Sequence, residues 1–283
     1  MSWEEKYLTI YEQSFESVDD RIKEEIKEKL GLHKMADPTV TIAVIAHNEE
    51  NRIAACLWSL CDNVCSFPYE IIVINNNSTD RTTDVLTDLD ATWFDEIKKG
   101  PGFARNCGLD HAQGKFYICA DSDSIYPPQY IETHMKELIK SDVACSYALW
   151  SFLPDEKHPA WQLHIYECLR DLYLRIQNIK RPELNVRGMT FAFKTDLGKK
   201  LRFRTDLIRG EDGSLALAMK SYGKLKFITD KKARIYTDNG TMNADGTMMQ
   251  SFLKRFSKGL RNAIGLTHSK EKYQDKDSNI IKG

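Results

Sequence analysis

Three stretches of this chain are apolar at nearly every position: VTIAVIA (40–46), EIIVIN (70–75) and KFYICA (115–120). A strand with one wet face alternates apolar and polar residues, whereas an unbroken apolar run must be covered on both faces. Between the runs lie segments whose apolar residues recur at helical spacing. EENRIAACLWSL sets Ile53, Leu57 and Leu60 on one side, TDRTTDVLTDL follows Ser78 or Thr79 as a cap, and GFARNCGLDHAQG closes at Gly114. ATWFDEI has the character of a short third strand. This alternation predicts an α/β fold, a doubly wound and mostly parallel sheet flanked by helices.

The flanks read differently. Residues 3–31 carry a helical pattern with Ile22, Ile26 and Leu30 on one face, stopped by Gly31 and joined through Pro38, so 1–38 forms an N-terminal helical arm. The main domain spans 39–237, with a first half (39–150) and a second half (151–237) that holds a smaller β region. In that second part VACSYALWSF (143–152), MTFAFK (189–194) and KLKFITDKKARIYT (224–237) read as strands. HPAWQLHIYECLRDLYLRIQNI is a long helix carrying Trp161, Ile165, Leu169, Leu172 and Ile176, and DGSLALAMKSYG is a helix ended by Tyr222-Gly223. Residues 238–283 add an amphipathic helix near 247–263 and a polar tail.

A net charge of −1 gives no footing for nucleic acid as partner. No apolar run nears the roughly 20 residues of a bilayer span. The acidic start MSWEEKYLTI is unlike a secretory leader. Seven cysteines without paired spacing fit reduced thiols and no zinc site, so a cytoplasmic protein is expected.

In open sheets of this kind ligands bind beyond the carboxyl ends of the strands, where strand order reverses. The exits read His47-Asn48-Glu49-Glu50, Asn75-Asn76-Asn77-Ser78 and Asp121-Ser122-Asp123, all rich in hydrogen-bonding groups. Asp121 and Asp123 sit two apart on an extended segment, which points both carboxylates to one side. Such a pair repels itself unless a cation joins it, and a hard divalent ion with open positions for phosphate oxygens resolves the repulsion. A turn in which Asp123 caps the next helix is the competing explanation.

AVIAHNEE, IIVINNNSTDRT, GPGFARNCGLDHAQGKFYICADSDS and RGEDGSLALAMKSYGKLKF, in that order over roughly residues 39–237, resemble the family 2 glycosyltransferases with the GT-A fold. The resemblance implies a hexosyl transfer from a nucleotide-diphosphate sugar to a saccharide or lipid-linked acceptor, with Mn²⁺ or Mg²⁺. It makes 39–150 the nucleotide-sugar half and 151–237 the acceptor half. Asp121-Ser122-Asp123 resembles the DxD motif, with Asp121 toward the ribose and Asp123 on the metal. Ala46, Asn48, Glu49, Asn75 and Asn76 match the strand exits that hold the nucleoside, and Arg105 the basic residue near the nucleotide. Asp212 matches the base of inverting members, with Glu211 orienting it, and Arg187-Gly188-Met189 resembles an acceptor-side loop. In the transfer so implied, the departing diphosphate gains negative charge while the acceptor hydroxyl loses its proton to Asp212.

Three departures sharpen the expectation. Asn75 stands where the family has an acid, which leaves uracil in doubt and guanine open. QSFLKRFSKG lacks the QxxRW spacing of polymer-forming members, so a single addition is expected. A third metal ligand after the last strand is often His, but here only Asp238 and Asn239 stand there, and Asp238 reads as a solvated turn residue. Lys254, Arg255, Lys258 and Arg261 make the last helix basic, suited to anionic headgroups at the inner membrane face. Trp150, Trp161 and Tyr166 fit a packed core better than a sugar platform. The alternatives are a retaining transferase on the same fold and a non-catalytic nucleotide-binding scaffold.

Overall fold

The computed structural model describes residues 2–239. Its centre is a seven-stranded sheet in the order β3 (Trp93–Asp95), β2 (Tyr69–Asn75), β1 (Val40–Ala46), β4 (Phe116–Asp121), β8 (Phe191–Lys194), β6 (Val143–Ala148) and β9 (Lys224–Ile228). Strands β1 to β4 are mutually parallel, β8 runs antiparallel to both β4 and β6, and β9 is parallel to β6. The sheet is thus mostly parallel, with one reversed strand at the join between the halves.

The unbroken apolar runs have the cause the sequence suggests. Ile42, Val44, Ile71 and Val73 enter one core, with Ile53, Leu57 and Leu60 of α3 (Ile53–Cys61) and Ile131 and Met135 of α6 (Tyr130–Leu138). Ala43, Ile72 and Ile74 enter the other, with Ala104 and Leu109 of α5 (Pro101–His111) and Leu215 and Met219 of α9 (Glu211–Met219). Successive side chains go to opposite faces, so both parities must be apolar. Each such side chain contributes on the order of 1.5–3 kcal/mol when fully buried.

A second, three-stranded sheet joins β5 (Ser124–Ile125), β10 (Ile235–Thr237) and β7 (Trp150–Phe152). The expected single strand over 143–152 is therefore two: the chain turns at Leu149, and β7 leaves the main sheet to pair with β10. Helix α4 (Thr82–Asp88) is opened by neither Ser78 nor Thr79, because Asp80 accepts from the Thr82 N–H at 3.0 Å. Helices α7 (Ala160–Lys180) and α8 (Thr195–Leu201) complete the second half. The helix expected near 247–263 lies outside the described residues.

The arm differs from the continuous helix expected over 3–31. It forms α1 (Glu5–Leu8), a single 3-10 turn at Phe15–Ser17 and α2 (Asp20–Leu32), with Glu12 in the left-handed region at φ 61° between them. Asp19 restarts the helix by accepting from the Arg21 N–H at 2.9 Å. Gly31 does not stop it. The arm docks on its own domain: Lys6 and Tyr7 reach Asp62 at 2.5 and 2.9 Å, and the Trp58 indole donates to Glu25 at 3.0 Å.

Two glycines should respond oppositely to alanine. A Cβ at Gly114 would meet the Thr41 nitrogen at 2.5 Å and the Val40 carbonyl carbon at 2.6 Å, while one at Gly31 meets nothing within 4 Å. Gly114→Ala should lose about 1–3 kcal/mol in urea denaturation. Gly31→Ala, inside α2, should gain about 0.5–1 kcal/mol.

Candidate active site

Strand β1 lies between β2 and β4, so strand order reverses beside it and the exits open on one edge. Register fixes the neighbours: Ile45 faces Asp121, Ala46 faces Asn75, and Asn75 faces Asp95.

Arg105, projecting from α5, is 2% exposed. Its Nη2 donates to Asp121 Oδ1 at 2.9 Å, and its Nε lies 3.1 Å from Asp212 Oδ1 and 4.0 Å from Glu211 Oε1. Burial opposes a charge here, but Asp212 and Asp121 raise the guanidinium's pKa well above its ordinary value, so it stays protonated. The Nε–Asp212 contact is close without hydrogen-bond alignment. Arg105 Nε and Nη1 and Asp212 Oδ1 are therefore buried with no hydrogen-bond partner. Polar atoms buried without partners are destabilising, and groups of them mark places where a ligand completes the bonding.

The Arg187-Gly188-Met189 loop meets this cluster directly. A Cβ on Gly188 would fall 1.6 Å from Arg105 Nη2 and 2.8 Å from Asp212 Oδ2, so only glycine fits. Met189 is partly buried and its carbonyl accepts from the Tyr130 hydroxyl at 3.1 Å. Arg187 bonds the Leu184 and Val186 carbonyls and lies over the Trp150 ring at 5.6 Å. Glu211 and Asp212 occupy the first turn of α9, after Gly210 at φ 100°. Burial, then Asp212, pushes the Glu211 carboxyl up to about 8, and burial also raises Asp212, against the opposing pull of Arg105.

Asp123 stands at a second corner. Its Oδ1 accepts from Ser124 Oγ at 3.0 Å and Thr237 Oγ1 at 3.4 Å, and its carbonyl accepts from the Tyr11 hydroxyl at 2.8 Å. Burial and the nearby Asp121 push its carboxyl up to about 6. Arg52 joins the corner, pairing with Glu49 at 2.8 Å and Asp238 at 2.9 Å. Asp238 is thus ion-paired within the site and is not the solvated turn residue expected. Ser122 is a buried turn residue whose N–H donates to the Ile45 carbonyl at 3.2 Å.

The exit amides hold the scaffold. Asn48, at φ 59°, accepts from the Thr79 N–H at 2.7 Å and ties the first exit to the second. The Ala46 carbonyl accepts from the Asn76 N–H at 2.8 Å. Asn76 donates to the Glu96 and Lys98 carbonyls and accepts from the Gly100 N–H, which fixes the loop leading into α5. Asn75 donates to Thr83 and to Asp95 Oδ1 at 2.8 Å and accepts from the Ser78 N–H. Its amide is spent on these bonds, so the exposed acid at this exit is Asp95, one strand over. A polar recess of about 310 Å³ opens between Asn48, Glu49, Glu50, Asn51, Arg52, Asp80 and the arm's Glu12.

Sequence reasoning missed Tyr11, Arg52 and Asp95. Arg52 lay within the quoted AHNEENR stretch, but nothing local announces its partners Glu49 and Asp238. The donor set fits a hard cation. Burial raises the Glu49 and Glu211 carboxyls to about 8, yet Asp121, Asp123, Asp238 and Asp212 alone still outnumber Arg52, Arg105 and Arg187 across the two corners, so an anionic diphosphate would meet a surplus of acid unless a cation came with it. Among the described residues no three acidic, histidine or cysteine side chains converge on one metal position.

The glycosyl transferase family 2 sequence model matches residues 41–201, more than half of the chain. An uncharacterized glycosyltransferase of Rickettsia bellii is 23% identical over 236 residues, covering 81% of this chain and 33% of that relative. The chain spans about a third of the length of such curated relatives. In fold it is similar to the mannosyltransferase PcManGT of Pyrobaculum calidifontis, in complex with GDP-Man and Mn²⁺, with a TM-score of 0.55 and 19% identity over 91% of this chain and 76% of that one. S. aureus TarS residues 1–349, in complex with UDP, gives 0.53 and 19% over 81% and 72%. At these identities the likeness to the solved structures is one of fold, GT-A.

The Glu211 carboxyl keeps its proton to about pH 8 in the folded chain and releases it near about 4.3 when unfolded. Between those values the folded state binds more protons, so stability is greatest at the acid end and falls as pH rises. Urea midpoints should drop across this window, and Glu211→Gln should make the drop shallower. An unchanged slope would show that the folded environment does not raise this carboxyl.

Proposed function

The chain belongs to glycosyl transferase family 2, and we propose that it moves a single sugar from a nucleotide-diphosphate donor to an acceptor hydroxyl, with inversion and with Mn²⁺ or Mg²⁺ bound. The observation that carries this reading is the cluster of Arg105, Asp121 and Asp212, where a buried cation and two acids leave hydrogen-bonding atoms without partners.

The residues divide the work by charge. Asp123, with Asp121 beside it, would hold the cation, and Arg52 keeps Glu49 and Asp238 from adding uncompensated charge at that corner. When bound, the cation supplies electrostatic stabilisation to the departing diphosphate. Arg105 adds a fixed positive charge whose orientation is already set by its acids, so no reorganisation is needed as charge develops. The Asp212 carboxylate accepts the proton of the acceptor hydroxyl. The Gly188 N–H hydrogen-bonds this carboxylate and favours its ionised form. Glu211, protonated in its buried position, adds no second negative charge beside the base.

The Asp95 carboxylate suits the base end of the donor. It accepts from Asn75 and is exposed at the second exit, so it can take N–H groups from a uracil or guanine edge. A saccharide or lipid-linked acceptor would enter past the Arg187-Gly188-Met189 loop.

Asp212→Asn should leave donor binding within a few-fold and lower transfer by about 10²–10⁴-fold; equal loss of both would make Asp212 structural. Asp123→Ala should abolish the Mn²⁺ dependence of nucleotide-sugar binding in calorimetry. Metal-stimulated binding in that variant would remove Asp123 from the metal site.

A further inference from the structure

Helix α7 is amphipathic in an inverted sense. Its inward face carries both acids and Arg170: Glu167 accepts from the Phe152 N–H at 2.7 Å and Ser151 Oγ at 2.8 Å. Arg170 donates to the Trp150 carbonyl and to Asp171 at 2.8 Å, and Asp171 pairs with Arg234. Arg170 also lies over the Trp150 ring at 4.5 Å. Leu163 and Leu174 are buried with them, but most of the large apolar side chains face outward. Trp161, Ile165, Leu169, Leu172, Ile176 and Ile179 are 43–80% exposed. They form one stripe, and the 18 steps of about 1.5 Å from Trp161 to Ile179 make it about 27 Å long. A contiguous exposed apolar surface of this kind marks an interaction site.

We propose that this face of α7 docks the protein on an anionic lipid surface. Charge complementarity selects that occupant. Among the described residues of α7, the exposed charged or ionisable side chains beside the stripe are His164, Arg175 and Lys180, while both acids, Glu167 and Asp171, are turned into the fold. A second copy packed on the same stripe would find no exposed carboxylate on α7 for its Arg175 and Lys180. A bilayer interface satisfies both features, taking apolar side chains into the acyl boundary and cations against phosphate headgroups. Its buried charges bar α7 from spanning the bilayer, and no helix of the described residues is long and apolar enough to do so.

The position of the face gives docking a use. Within a few residues of its end at Lys180, the chain reaches Arg187 and Gly188, and Gly188 contacts Arg105 and Asp212. Docking through α7 would therefore hold to the lipid surface the helix that leads into the loop proposed for the acceptor. The docking itself rests on exposure and charge, and stands apart from the assignment of the transfer reaction.

Flotation of the full chain with vesicles tests it, using phosphatidylcholine alone and phosphatidylcholine with a third phosphatidylglycerol. The protein should float with the anionic vesicles, and Leu172→Glu/Ile176→Glu should abolish this while circular dichroism and nucleotide-sugar binding stay unchanged. Arg175→Ala should weaken it about fivefold. Three results would overturn the proposal. One is no flotation with anionic vesicles. Another is flotation unaffected by the double variant, which would assign lipid contact to the C-terminal segment. The third is a wild-type dimer by light scattering that the double variant dissociates, which would assign the face to a second copy.

Discussion

The buried guanidinium of Arg105 is the constraint around which the site is built. A charge this enclosed is tolerated only when opposite charge surrounds it, and removing one partner of such a group leaves an uncompensated ion worth about 3–5 kcal/mol. Its partners come from separate parts of the chain: Asp121 closes β4, while Asp212 and Glu211 open α9. Pairing them around one cation locks the two halves of the domain together at the edge where the strands end. The same packing explains why the loop before β8 needs glycine, since any side chain at 188 would enter the space the guanidinium fills.

The second corner is assembled on the same principle from still more distant segments. The short pairing of β5 with β10 sets Thr237 against Ser124 and so brings Asp238 toward Asp123. Arg52 then bridges Glu49 and Asp238, and Tyr11 comes from the arm to hold the Asp123 carbonyl. The arm is therefore part of the wall of the site, and a shift of residues 11–12 would be felt at Asp123 and in the recess beside it.

The central sheet was legible because its physical cause is local. A run apolar at both parities means two covered faces, and helical spacing between runs means crossovers. The polar strand exits were legible for the same reason, since neighbours in sequence are neighbours at an exit, but the expectation that Asp121 and Asp123 point to one side was not met: residues 122–123 turn, so Asp121 meets Arg105 while Asp123 meets Ser124 and Thr237 at the other corner. What was not legible depended on partners far along the chain. Nothing near Asn75 tells that Asp95, Thr83 and Ser78 occupy its amide, and nothing near Asp238 announces Arg52. The arm was misread because helical spacing on both sides of Glu12 conceals a left-handed residue between them. The strand over 143–152 was misread because β-propensity cannot say which sheet a residue joins.

Helix α7 shows where periodicity reaches its limit. Spacing establishes that Trp161, Ile165, Leu169, Leu172 and Ile176 share a face, but not whether that face turns inward. The decision is made by Glu167, Arg170 and Asp171, each of which finds bonds on the domain: the Ser151 hydroxyl, the Phe152 N–H, the Trp150 carbonyl and Arg234. A satisfied charge network competes with an apolar face for the same interior surface, and here the network holds it. Such an arrangement leaves apolar area in water that folding alone would bury, so the outer face becomes favourable only when something else covers it. The acid-rich strand exits have the same character, because raised carboxyls and partnerless buried atoms destabilise the isolated chain until a ligand satisfies them. Both regions give up stability in the free protein, and both lie where the proposed reaction needs contact with another molecule.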